Sequence, residues 1–108
     1  MIKLKNQIKK FIKQIKTQYG DNLVKVILYG SRARGDSDES SDYDLLLIFD
    51  KVTPEIKNYI NDLEGEFLYE FSIIISARCI SKNDLVQYMY EPFLMNIQKE
   101  GIVIWIRR

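Results

Sequence analysis

Two aspartates, Asp42 and Asp44, stand one residue apart where a polar loop meets the apolar run at residues 45–49. In an extended strand, residues i and i+2 project from the same face, so the two carboxylates should lie close together. Carboxylates that close either raise a pKa or share a cation. Oxygen ligands of this kind suit Mg²⁺, which proteins often hold together with substrate phosphates. The pair indicates a metal site; two solvated acids at a loop–strand junction are the alternative.

A glycine–serine pair, Gly30 and Ser31, follows another apolar run. Glycine lets a phosphate approach the backbone closely, and serine adds a hydroxyl. If the next turn begins a helix, its free N–H groups also favour an anion. The segment is not a P-loop, because it lacks G-x-x-x-x-G-K-[ST]. A plain Gly-Ser turn between two strands is the alternative reading.

Composition limits the remaining chemistry. The chain has 108 residues, no histidine and a net charge of +1, so we expect one domain over residues 1–108 and no general attraction to nucleic acid. Without histidine there is no Ser-His or Cys-His nucleophile pair. Cys79 is the only cysteine, which excludes an internal disulfide. No run of ~18 apolar residues predicts a membrane helix, and we expect a cytoplasmic protein.

Hydrophobic periodicity predicts alternating helices and strands. Thr53 before Pro54 and Ser81 before a periodic segment are typical of helix N-caps. The run at residues 45–49 is apolar on both faces, as in a central strand. The pattern predicts an α/β (α+β) domain with a small mixed sheet flanked by helices. The predicted helices cover residues 1–20, 53–67, 81–90 and 91–101, and the predicted strands cover residues 22–30, 43–50, 69–76 and 102–106.

The two candidate sites occur at a fixed spacing, G-S-x10-D-x-D, within "GSRARGDSDESSDYD". With its flanking strands, this motif resembles the minimal nucleotidyltransferases of the DNA polymerase beta-like superfamily. The basic N-terminal helix and the ending "PFLMNIQKEGIVIW" are also similar to these proteins. The resemblance covers nearly the whole chain and implies the polymerase beta palm-like nucleotidyltransferase core.

The resemblance implies a role for each motif residue. Gly30 and Ser31 would hold the β- and γ-phosphates of a nucleoside triphosphate, ATP in the leading interpretation. Asp42 and Asp44 would bind two Mg²⁺ ions between the triphosphate and the reacting oxygens. Arg34 would steady the phosphates or the loop; an ion pair with nearby Asp36 or Asp38 is the alternative.

The family usually has a third carboxylate, commonly Asp, on a neighbouring strand. In "YEFSIIIS" the only acid is Glu70, and the resemblance makes it the third metal ligand and the proton acceptor. Glutamate is one methylene longer than aspartate, which could shift the metal geometry. A strand-edge acid with no metal is the alternative.

The resemblance also implies an acceptor. Minimal nucleotidyltransferases of this kind resemble antitoxins that transfer AMP from ATP to a tyrosine hydroxyl of a partner HEPN-domain toxin. Two other functions stay open: an antitoxin that neutralises its partner by binding alone, and a transferase that modifies a small molecule such as an antibiotic. Neither a membrane nor direct nucleic-acid binding is expected, and a homo-oligomer is possible.

One segment predicts an interface. The stretch "VQYMYEPFLM", residues 86–95, carries more aromatic and methionine side chains than two short helices would hide in a small domain. Such residues are enriched where proteins meet. The alternative is that most of them belong to the core.

Overall fold

The fold is a four-stranded mixed sheet with helices on both faces. A computed structural model describes residues 4–38 and 41–108. The strand order is β3-β2-β1-β4; β1 is antiparallel to β2 and β4, and β2 is parallel to β3. The predicted fold class is confirmed. The elements are α1 (Asn6–Tyr19), β1 (Leu23–Tyr29), α2 (Ser31–Arg34), β2 (Tyr43–Phe49), α3 (Pro54–Phe71), β3 (Ile75–Ser81), α4 (Lys82–Gln87), α5 (Pro92–Glu100) and β4 (Ile102–Ile106).

The central strand β2 divides the core into two parts because its side chains alternate between the faces of the sheet. Tyr43, Leu45 and Leu47 pack with α1 and α3. Leu46 and Ile48 pack on the opposite side, against Leu94 and Ile97 of α5. Residues 43–49 are buried along the strand except at Asp44, which is half-buried. The prediction of a central strand covered on both faces is confirmed.

Two predicted N-caps are present. The Thr53 hydroxyl accepts a hydrogen bond from the Ile56 N–H at 3.2 Å, and the Ser81 hydroxyl accepts one from the Asp84 N–H at 3.1 Å. Each bond satisfies an N–H that has no partner within the helix. The chemistry of single residues therefore defines where α3 and α4 begin.

The predicted strand at residues 69–76 is wrong over residues 69–74, because only its last two residues belong to β3. Helix α3 continues to Phe71 and ends at Ser72, which takes the left-handed conformation (φ 53°), so Glu70 lies on a helix. The reason is packing: Leu63, Phe67 and Phe71 recur at four-residue spacing and face the same core. This spacing continues the helix through Gly65 and past the predicted end at residue 67.

Other boundaries shift less. Helix α1 begins at Asn6 and ends before Gly20, which stays in the right-handed helical region (φ −54°); the predicted start of this helix, residues 1–3, lies outside the described residues. Helix α5 ends at Gly101, as expected. Within the described residues, no helix is both long and apolar enough to cross a membrane.

Candidate active site

The two aspartates lie at the start of β2, on the face of the sheet that α5 covers. Asp44 pairs with Tyr29 of β1 on one side and with Ser76 of β3 on the other. Asp42 lies just before the strand, and its Oδ2 accepts a hydrogen bond from the Ser76 hydroxyl at 3.4 Å. Paired residues of neighbouring strands share a face, so Asp42, Asp44 and Ser76 face the same side.

Burial and charge both act against ionisation of Asp44. The pKa of this carboxyl is raised above its usual range, first by burial and then by the negative charge of Asp42; Arg34 has the opposite, smaller effect. A cation between the two carboxylates would remove the repulsion. The pair therefore has the electrostatic character of a site for positive charge.

Gly30 is required by its backbone conformation, and it lies against Asp44. Its backbone has φ 74° and ψ −158°, a conformation that is essentially restricted to glycine. A Cβ at this position would also overlap Asp44 Oδ2. Gly30 and Asp44, which are separate in sequence, thus lie directly against each other.

Ser31 begins the short helix α2 immediately after this contact. The N–H groups of Ala33 and Arg34 donate to the Gly30 carbonyl, which makes a single tight turn. Helix geometry leaves the first N–H groups of such a turn without intrahelical acceptors. Backbone donors beside a small glycine suit a phosphate group.

Arg34 forms the ion pair given as the alternative to phosphate binding. Its guanidinium lies 3.2 Å from Asp36 and 3.3 Å from Glu100 at the end of α5. Hydrogen bonds to Asp36 and then to Glu100 raise the pKa of Arg34. These pairs are exposed and contribute little stability, so the side chain can exchange partners at little cost.

Arg32 is a site residue that the sequence analysis missed. Its Nε and Nη2 donate to the Ser41 carbonyl at 3.3 and 2.9 Å. Its guanidinium also lies over the ring of Tyr43, with the central carbon 4.2 Å from the ring centroid. Both partners are adjacent to Asp42. Only the position of Arg32 beside the Gly-Ser pair marked it in the sequence.

A second missed group lies beside Asp44. The rings of Tyr29 and Phe93 pack edge to face with centroids 5.6 Å apart, and the Arg78 guanidinium lies 4.6 Å from the Phe93 centroid. Burial, and then the charge of Asp44, raise the pKa of the Tyr29 phenol, whereas Arg78 lowers it. Tyr29, which pairs with Asp44, thus lies against an aromatic ring and near the positive charge of Arg78. This group could not be predicted from the sequence, because Arg78 lies on β3 and Phe93 on α5, and only the fold brings them together.

Glu70 does not join the aspartates. It is exposed on the last turn of α3. Across residues 4–38 and 41–108, no three acidic, histidine or cysteine side chains lie close enough to hold one metal ion. On β3, the strand where a third carboxylate was expected, the residue paired with Asp44 is Ser76.

The donors present fit a hard divalent cation in part. Asp42 and Asp44 offer carboxylate oxygens on one face, and burial and then the charge of Asp42 raise the pKa of Asp44. Mg²⁺ commonly takes one or two carboxylates and completes its shell with water and substrate phosphates. Two carboxylates beside the Gly30 backbone satisfy that requirement without a third acid.

Comparison with known protein families agrees with this geometry. The family described as "Polymerase beta, Nucleotidyltransferase" matches residues 6–108. The chain belongs to this nucleotidyltransferase family, and the resemblance inferred from the motif is confirmed.

Three similar proteins come from Methanocaldococcus jannaschii. "Putative protein adenylyltransferase MJ1305" is 34% identical over 107 residues, covering 96% of this chain and 73% of the relative. "Putative protein adenylyltransferase MJ0604" is 33% identical over 98 residues, covering 91% and 94%. "Putative protein adenylyltransferase MJ0141" is 41% identical over 85 residues, covering 78% and 86%.

Solved structures share the fold. A "putative nucleotidyltransferase from Sulfolobus solfataricus" aligns with a TM-score of 0.53 at 23% identity, over 99% of this chain and 93% of its own. A toxin–antitoxin structure with AMP-PNP aligns with a TM-score of 0.66 at 13% identity, over 96% and 76%. A mutant of the toxin–antitoxin MntA-HpeT aligns with a TM-score of 0.63 at 13% identity, over 98% of this chain and 76% of its own. At these identities the likeness concerns the fold alone.

Proposed function

We propose that this chain is a cytoplasmic, Mg²⁺-dependent protein adenylyltransferase that transfers AMP from ATP to a tyrosine hydroxyl of a partner HEPN-domain toxin and so acts as its antitoxin. The observation that carries the proposal is the contact between Gly30 and Asp44, beside Asp42. It joins a phosphate-binding turn to a pair of carboxylates.

Each residue has a defined task. The Gly30 backbone and the Ser31 hydroxyl hold the β- and γ-phosphates, while Asp42 and Asp44 hold Mg²⁺. When bound, Mg²⁺ neutralises phosphate charge and stabilises the leaving pyrophosphate. The tyrosine oxygen forms a bond to the α-phosphorus as the bond to pyrophosphate breaks, and the phenolic proton leaves to a site carboxylate or to water. Positioning and charge neutralisation carry most of the rate, so the lack of histidine is no obstacle.

Arg34 can assist if it leaves its present partners. Its ion pairs with Asp36 and Glu100 are exposed, and a triphosphate offers a denser negative charge beside Gly30. We assign Arg34 to the phosphates on this basis. This assignment can be tested separately from that of the aspartates, because Arg34 would supply a positive charge whereas the aspartates would bind the metal.

An exposed apolar patch supports a protein acceptor. We define it by four apolar residues of one short segment, each of them 37–79% exposed: Tyr88, Tyr90, Phe93 and Met95. Phe93 also contacts Tyr29, the neighbour of Asp44, so a partner covering the patch would reach the carboxylates. The names of the relatives as protein adenylyltransferases point to the same class of acceptor.

One observation favours a second candidate, an antitoxin that neutralises its partner by binding alone. Ser76, which is not an acid, occupies the β3 position paired with Asp44, whereas the resembled family usually has a third carboxylate on a neighbouring strand. Loss of that ligand would weaken the metal site without affecting the patch.

Intact mass spectrometry separates the candidates. The chain is incubated with Mg-ATP and the protein encoded beside it. We expect the partner to gain one or more AMP units, and the gain to be lost in Asp42→Ala. Asp62→Asn, which removes an exposed carboxylate from α3 on the other face of the sheet, is the matched control and should retain transfer.

The other outcomes are equally informative. An unmodified partner that still co-purifies would favour the binding antitoxin, and AMP found only on a small-molecule acceptor would contradict a protein substrate. A steep loss of rate in Glu70→Gln would return Glu70 to the site despite its exposed position, whereas transfer within about twofold of wild type, as for most surface substitutions, would exclude it.

A further inference from the structure

We propose that Arg32 is a positioning residue that holds Asp42 in place relative to the Gly30–Ser31 turn. The catalytic part of this inference rests on the proposed function. Arg32 is the second residue of α2, directly after Ser31. It therefore connects the phosphate side of the site to the carboxylate side.

The connection is made through the backbone next to Asp42. Both Nε and Nη2 of Arg32 donate to the carbonyl oxygen of Ser41, at 3.3 and 2.9 Å. Two donors from one planar group converge on one oxygen, which restrains the direction of the carbonyl as well as its distance. The peptide that this carbonyl belongs to leads directly into Asp42.

The other side of Asp42 is held by the ring of Tyr43. The Arg32 guanidinium lies over this ring, 4.2 Å from its centroid. The ring is a fixed platform, because Tyr43 is 5% exposed within the core under α1 and α3. The Tyr43 N–H also donates to the Ile74 carbonyl at 2.9 Å. Arg32 thus contacts both neighbours of Asp42.

Asp42 needs such support more than Asp44 does. Asp44 lies within the sheet, paired on both sides by Tyr29 and Ser76. Asp42 precedes the strand, and the hydrogen bond that its side chain accepts from Ser76 is long, at 3.4 Å. The geometry of the carboxylate pair therefore depends on what holds residue 42.

The contacts require arginine and not only a positive charge. A lysine ammonium cannot place two donors of a flat group on one carbonyl while stacking on a ring. If Arg32 positions Asp42, Arg32→Lys should behave like Arg32→Gln. If Arg32 instead binds phosphate by charge, Arg32→Lys should restore function.

Hydrogen exchange measured by mass spectrometry tests the positioning role of Arg32 in the isolated chain, and it does not depend on enzymatic activity. We expect Arg32→Gln to accelerate exchange in peptides covering residues 41–46 by about tenfold, because the segment opens more readily. Arg34→Gln is the matched control: it removes the same group two residues later, but its partners are Asp36 and Glu100, so this segment should exchange as in wild type. Unchanged exchange in Arg32→Gln would overturn the proposal.

Metal binding and kinetics test the consequence, with Mn²⁺ as the probe ion. We expect the Kd for Mn²⁺ to rise and kcat to fall by roughly 10–100-fold in both Arg32→Gln and Arg32→Lys, as for residues that orient metal ligands. The KM for ATP should stay within about twofold of wild type, because a positioning residue does not contribute to the interactions that bind ATP equally in the ground state and the transition state. A raised KM with unchanged kcat, rescued by Arg32→Lys, would make Arg32 a phosphate ligand and overturn the proposal.

The two proposals fail in different ways. If wild type transfers no AMP, the proposed function fails, while exchange and Mn²⁺ binding still decide whether Arg32 positions Asp42. If wild type is active and Arg32→Gln matches it in hydrogen exchange, Mn²⁺ affinity and kcat, only the positioning role of Arg32 is contradicted.

Discussion

At the scale of single residues, Gly30 links the two halves of the site. Its positive φ strongly favours glycine, and a Cβ there would force the Asp44 carboxylate to move. The glycine of the "GS" motif is therefore needed for the backbone and for the position of Asp44, independently of the phosphate-binding role that we propose for it. Ser31 differs in the proposed site, because its hydroxyl would add a donor without limiting the backbone.

Substitution of Gly30 tests this requirement. We expect Gly30→Ala to lower AMP transfer at least about 100-fold, since a displacement of ~1 Å in a catalytic site has effects of that size. Gly65→Ala is the control: a Cβ there meets nothing within 4 Å in α3, so activity should persist and stability should rise by up to ~1 kcal/mol. Activity of Gly30→Ala within twofold of wild type would contradict the proposed contact.

The raised pKa of Asp44 predicts a pH dependence in the absence of metal. A carboxyl with a raised folded-state pKa favours folding when protonated, and this stabilisation is lost as pH rises through the folded pKa. At pH 7 in EDTA the charge of Asp44 therefore opposes folding. We expect Asp44→Asn to be more stable than wild type there, by less than about 1 kcal/mol because solvent screens the site.

The measurement is thermal unfolding in EDTA from pH 7 down to pH 4, where the difference between Asp44→Asn and wild type should shrink. Excess Mg²⁺ at pH 7 should stabilise wild type more than the variant, because only wild type keeps the full pair. A lower melting temperature for Asp44→Asn than for wild type at pH 7 in EDTA would contradict this prediction. It would mean that the folded protein stabilises the charged form of Asp44.

At the scale of elements, the site depends on where each helix and strand ends. The turn after β1 supplies Gly30, the start of β2 supplies Asp44, and the end of α5 supplies Glu100 to Arg34. Helix α3 contributes by packing, since Phe67 lies against Phe11 of α1 with ring centroids 5.3 Å apart. Capping determines the start of α3, which can be tested separately.

We expect Thr53→Ala to destabilise the protein by about 1 kcal/mol, because the Ile56 N–H loses its acceptor. Urea unfolding measures the change. Thr17→Ala removes a hydroxyl that bonds the Lys13 carbonyl within α1 and caps no helix, so it should be neutral or slightly stabilising. Equal losses in both variants would mean that the cap contributes nothing.

At the scale of the whole molecule, two layers of unequal size support one site. The larger core lies between the sheet and α1 with α3, and the smaller one lies under α5 beside the aspartates. Arg107, after β4, connects two loops: it pairs with Asp50 after β2 at 2.8 Å and donates to the Asp21 carbonyl after α1. Stability and chemistry are therefore located mainly on opposite faces of the sheet.

This separation predicts where stability is lost. We expect Phe67→Ala, at a 2% exposed position, to cost about 3–5 kcal/mol in urea unfolding. Tyr69→Ala removes an aromatic ring two residues away at a 93% exposed position and should change stability by no more than about 0.5 kcal/mol. A loss below 1 kcal/mol in Phe67→Ala would contradict the assignment of the main core to this face.

The amino-acid sequence alone determined the helix caps at Thr53 and Ser81, the two-faced central strand and the spacing of Gly30–Ser31 from Asp42 and Asp44. These features could be predicted because they arise from local backbone chemistry and hydrophobic periodicity, which depend only on residues close together in the sequence. The tertiary structure decided the length of α3, the exposed position of Glu70, the presence of Ser76 beside Asp44 and the contacts of Arg32 and Arg78. These depend on packing and strand pairing between distant segments, because helix and strand patterns overlap in a short apolar run and only the core selects between them.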